Sequence, residues 1–75
     1  MNLHIIKKNA AKVWHELSTV KGHLGLQELV IATCLSKKDL MEALEWLTNE
    51  GIIKNEKVQE DEPVKYYTDL IYYIG

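Results

Sequence analysis

The chain has 75 residues, 47% of them apolar, with nine lysines, no arginine, eleven acidic residues and a formal net charge of −2. That length makes one domain, residues 1–75, with a small core; the single cysteine excludes an internal disulfide, and no apolar run approaches the ~20 residues of a membrane span. The charge balance departs from the usual profile of a stand-alone DNA binder, which has a basic surplus and arginines for bidentate contacts.

In chain order, residues 5–19 read as a first helix. Ile6, Ala10, Val13, Trp14 and Leu17 share one face, and Lys7, Lys8, Lys12, His15 and Glu16 are left mostly for solvent. Asn2 and Asn9 are both competent caps, so the start stays open between Leu3 and Asn9. Gly22 breaks the pattern, and His23-Leu24 reads as a short extended segment ahead of Gly25. A second, short helix covers residues 26–33, with Leu26, Leu29 and Val30 as its apolar stripe and Gln27 and Glu28 outward. Cys34 and Leu35 fill the turn that follows.

The most legible stretch is LSKKDLMEALEWLTNEGII, residues 35–53. Ser36 is a helix cap, and Asp39 three residues on completes a short-armed capping box. Leu40, Ala43, Leu44 and Leu47 recur at i, i+3, i+4 and i+7. Gly51 ends the helix in a left-handed cap, and Ile52-Ile53 are expected to open a strand at once. Two helices joined by a short turn, the second beginning Ser-Lys-Lys, form a helix-turn-helix layout. Residues 52–58 and 64–68 read as the two strands of a hairpin, the wing, around an acidic, proline-bearing tip, QEDEP. The closing LIYYI reads as a further strand.

With these elements laid out, the chain resembles the winged helix-turn-helix domains, and among them a family of small stand-alone bacterial and archaeal proteins without an assigned function. NAAKVWHEL, residues 9–17, and the central stretch with Ala43, Leu44, Trp46, Leu47 and Glu50 carry the resemblance, over roughly residues 9–54. The chain departs from the pattern at Glu45, where a small residue is expected before Trp46, and at Cys34, a turn position often held by glycine. The resemblance implies a winged helix with no known enzymatic activity. The expected architecture is therefore α+β: three helices, a two-stranded β wing and an extra C-terminal strand.

Side chains outside the apolar stripe of the central helix are where such a fold reads DNA: Lys37, Lys38, Met41, Glu42 and Glu45. The two lysines suit phosphate, whereas two carboxylates on one reading face are unusual. Glu56, Glu60, Asp61 and Glu62 outnumber Lys54 and Lys57 on the wing, which leaves roughly two to four lysines as phosphate contacts. Trp14, Leu17, Leu29, Leu40, Leu44, Trp46 and Leu47 are expected in the core. Leu70, Ile71, Tyr72, Tyr73 and Ile74 present more apolar and aromatic surface than a terminal edge strand can cover, so a symmetric homodimer is expected through them, the alternative being a tail folded back on its own hairpin.

The histidine spacings of His4, His15 and His23 match no common metal-ligand pair, and no metal or cofactor is expected. No catalytic residue is assigned: the chain has no nucleophile–base spacing, phosphate-cradling glycine loop or His-Glu metal motif. Cys34 reads as a semi-buried turn residue rather than a redox thiol. The N-terminus lacks a small-residue cleavage site, and a lone cysteine fits a reducing compartment, so a cytoplasmic location with no membrane association is expected. The leading functional expectation is a non-enzymatic, regulator-type module with DNA as its partner at modest affinity. The alternative is a protein-interaction module whose acidic wing and Glu42/Glu45 face meet a protein partner.

Overall fold

The computed structural model describes residues 2–20, 22–57 and 59–70. The first helix, α1, spans Leu3–Val20. Asn2 decides its start: the side-chain oxygen accepts from the N–H groups of His4 (3.0 Å) and Ile5 (3.4 Å), donors that a helix leaves without internal partners. Asn9 lies buried mid-helix instead. Ile6, Ala10, Val13 and Leu17 form the inward stripe, while Lys7, Lys8 and Lys12 are exposed.

A two-residue strand, β1 (Leu24–Gly25), runs directly into α2 (Leu26–Thr33). Gly25 serves both elements, ending the strand and capping the helix, where its N–H donates to Glu28 Oε1 at 3.0 Å. At the other end of α2, Thr33 donates its hydroxyl to the Leu29 carbonyl (2.6 Å) and accepts from the Leu35 N–H (3.3 Å). Between them Cys34 takes a left-handed conformation, φ 58° and ψ 21°. Its side chain is exposed, not semi-buried, because the turn directs this residue away from the helices it connects.

The third helix, α3, spans Lys37–Asn49 behind the Ser36 cap. Only one arm of the expected capping box forms: the Asp39 N–H donates to Ser36 Oγ at 3.1 Å. An aspartate side chain, one methylene shorter than the glutamate of a full box, makes no return bond to Ser36. The helix closes with a paired cap. Gly51, at φ +75°, donates to the Thr48 carbonyl (3.1 Å), and Ile52 donates to the Leu47 carbonyl (3.0 Å), the Schellman arrangement. The Ile53 N–H also points at Leu47 O, at 3.5 Å. These amides are committed to the helix end, so the strand starts later than Ile52.

That strand, β2 (Lys54–Glu56), pairs antiparallel with β3 (Lys65–Tyr67) in the register Lys54↔Tyr67, Asn55↔Tyr66 and Glu56↔Lys65. β1 takes the other edge of β3, Leu24 opposite Tyr66, which makes a three-stranded sheet in the order β1-β3-β2. The sheet's third strand thus comes from between α1 and α2. The extra strand expected over residues 70–74 falls outside the described residues except for Leu70, which lies in a bend after β3.

The core sits where α1 packs across α3 and α2 closes the side. Leu17, Leu29, Leu40, Leu44, Leu47, Val13, Ala43 and Ile53 are all buried. Each large side chain in that set contributes ~1.5–3 kcal/mol by leaving water. Trp14 and Trp46 are only half-buried, packed on the rim of this cluster. An indole's size makes full burial uncommon, and each finds a polar contact at the edge. Trp14 Nε1 donates to the Leu70 carbonyl (2.9 Å), and Lys7 Nζ stands 6.0 Å from the Trp46 ring centroid. The Ser18 hydroxyl also donates to the Leu70 carbonyl, at 3.2 Å. The chain after β3 is thereby strapped to α1 of its own molecule. Thr68 pins the strand ends together through its hydroxyl bond to the Ile52 carbonyl (2.7 Å).

Candidate nucleic-acid interface

The apolar stripe of α3 is spent on the core, so the opposite side of the helix is free. Lys37, Lys38 and Glu45 are exposed, Met41 is 46% exposed and Glu42 is half-buried. Ser36 satisfies the N–H groups of Asp39 and Leu40 through its hydroxyl and carbonyl. The N–H groups of Lys37 and Lys38 have no acceptor among the described residues. They sit at the positive end of the helix dipole together with two ammonium groups, a setting that favours an outside anion such as phosphate.

Further along α3 the chemistry changes sign. Lys38, Met41, Glu42, Leu44, Glu45 and Thr48 line one wall of a groove of about 350 Å³, whose other wall is Asn55 and Tyr66 of the hairpin. The structure brings Lys38, Met41, Glu42 and Glu45 together here and leaves Lys37 outside the groove lining. Asn55 and Tyr66 have no counterpart in the sequence reading. Their only local signal is hairpin pairing, since Asn55 stands opposite Tyr66, and which face that pair presents depends on how the sheet meets α3.

The hairpin tip is acidic and open. Glu60 and Asp61 are exposed and Glu62 is half-buried, in a turn closed by the Glu62 N–H to the Gln59 carbonyl (3.1 Å). At the strand ends the charges are partly occupied. Glu56 Oε2 lies 3.2 Å from His23 Nε2, and the His23 ring stacks on Tyr67 with centroids 4.4 Å apart. Lys54 pairs with Asp69 at 3.3 Å, both largely exposed, a contact worth little in stability. Lys7, Lys8 and Lys12 are exposed on α1, away from the α3 groove lining.

Among the described residues no group of three or more His, Cys, Asp or Glu side chains could hold a metal ion. No helix there is long and apolar enough to cross a membrane.

Two helices joined at a tight turn, the second of them bare on its outer side and flanked by a β-hairpin, define a winged helix-turn-helix domain. The chain belongs to the winged helix-turn-helix domain family DUF2582, whose model matches residues 1–66 and to which no function is assigned. No curated protein and no solved structure gives a significant match.

Proposed function

We propose that this domain is a non-enzymatic, regulator-type module that contacts duplex DNA at modest affinity through the first turns of α3. The observation that carries this reading is the anion-seeking start of that helix: Lys37 and Lys38 exposed, their two N–H groups open, and Met41 exposed one turn later. The fold class supplies the precedent for placing these turns in the major groove.

Charge sets the limit on affinity. With roughly two to four lysine–phosphate contacts, binding should weaken about 7- to 50-fold as salt rises from ~50 to ~150 mM, given the slope of ~0.9 per contact. The acidic hairpin tip faces the same phosphate field and subtracts from the total. Titration of labelled duplex DNA at both salt concentrations tests the reading. Binding with that salt slope, weakened about tenfold in Lys37→Glu, supports it. An absence of binding at the lower salt removes it.

Self-association belongs to the same proposal. Leu70 remains 49% exposed although its carbonyl is held by α1, and the sequence after it, Ile71, Tyr72, Tyr73 and Ile74, is apolar and aromatic. A homodimer through this segment doubles the number of α3 contacts available to one duplex.

A further inference from the structure

The groove beside α3 contains two carboxylates that the fold itself does not use. Glu42 and Glu45 stand one helical turn apart, and neither makes an ion pair or side-chain hydrogen bond among the described residues. Around them the lining is mixed. Met41 is an exposed apolar lip, Leu44 is buried beneath, and Tyr66 and Asn55 face across from the hairpin. The volume of about 350 Å³ falls at the small end of the ~300–1,000 Å³ typical of ligand sites.

We propose that this groove docks a cationic, extended peptide segment of a protein partner. The head group of an arginine or lysine sits between Glu42 and Glu45. Its aliphatic stem lies along Met41. The ring of Tyr66 adds an attractive face for the cation, and the Asn55 amide offers a donor and an acceptor to the peptide backbone. Phosphate is the wrong occupant for this part of the face, because its two carboxylates outnumber the one lysine of the lining, Lys38, with which neither is paired.

Lys38 and Met41 belong both to the groove and to the proposed DNA contact. The peptide and DNA therefore exclude one another, so the groove can act as a regulatory site on the same helix. Peptide docking itself does not depend on the DNA reading.

The test uses the full chain and a short labelled peptide alternating arginine and leucine, followed by anisotropy and by backbone amide chemical shifts. The expected result is shifts centred on Met41, Glu42, Glu45, Asn55 and Tyr66, with affinity about tenfold weaker in Glu42→Gln/Glu45→Gln. A dispersed amide spectrum verifies that the variant is folded. Glu45→Gln, at an exposed position, gives a smaller loss in the same direction if the double variant is unstable. The inference fails if no shifts occur at millimolar peptide, if they fall outside the groove, or if the double variant binds equally well. Equal binding of spermine, or of a peptide with glutamate in place of arginine, also overturns it. Lys37→Glu separates the two readings, since it weakens DNA binding and leaves the peptide in place, whereas the Glu42→Gln/Glu45→Gln variant weakens the peptide and, having lost two carboxylates from the DNA-facing helix, binds DNA no less tightly.

Discussion

Cys34 holds the turn that sets α3 against α2, and it does so at φ 58° and ψ 21°. In that region an L-residue brings its Cβ too near the following carbonyl, at a cost of ~1–2 kcal/mol. Glycine removes the clash but loses ~0.4–1 kcal/mol through the greater freedom of the unfolded chain. The Cys34 side chain is exposed, and its one polar contact, Sγ to the Ile31 carbonyl at 3.8 Å, is weak. Cys34→Gly should therefore stabilise the domain by a net ~0.8 kcal/mol, the difference between the midpoints of those two ranges. For a domain of this size that is a rise in Tm of about 2–8 °C. Thermal and urea unfolding measure it, with Cys34→Ala as the control that removes the thiol and keeps the strain. Cys34→Ala should leave stability within ~0.5 kcal/mol of the parent. If Cys34→Gly proves no more stable than Cys34→Ala, the left-handed turn is not a source of strain, and the account of this junction is wrong.

The other end of α3 gives the complementary experiment. Gly51 is at φ +75° with nothing within 4 Å of the position a Cβ would take, so Gly51→Ala adds left-handed strain, less the entropy that alanine removes from the unfolded chain, and should destabilise by ~0.8 kcal/mol in urea unfolding. A neutral effect there would contradict the paired cap. Ser36→Ala deletes the hydroxyl that accepts from Asp39 N–H and should cost ~1 kcal/mol, read as a fall in the urea midpoint at unchanged slope. Sedimentation of the full chain and of a truncation after Asp69 checks self-association. A dimer that becomes a monomer on truncation is expected, and a monomer in both disproves the homodimer.

The course of α3 could be read from residues 35–53 because everything that makes it is local. Ser36 caps it, Leu40, Ala43, Leu44 and Leu47 repeat at the helical period, and Gly51 ends it. The same holds for the span of α2. Where two local signals competed, sequence alone could not choose. Asn2 and Asn9 are equivalent as caps until the fold buries Asn9 in the middle of α1 and leaves Asn2 to accept from His4 and Ile5.

Contacts between distant segments lay beyond local reading. The extended run at His23-Leu24 is legible beside Gly22, but β1 is a strand only because Leu24 and Gly25 meet β3, some forty positions later. The late start of β2 follows from the amides of Ile52 and Ile53 being drawn back to Leu47, a competition that β-propensity does not register. The rim position of the two tryptophans and the strap from Leu70 to Trp14 and Ser18 are likewise consequences of which surfaces pack first. The lysines and glutamates of α3 were evident as one helix face. That Asn55 and Tyr66 complete a groove with the glutamates depends on the angle at which the hairpin meets α3. Periodicity and capping act over a few residues and are written in order along the chain, whereas a groove is shared by elements whose relative placement only packing decides.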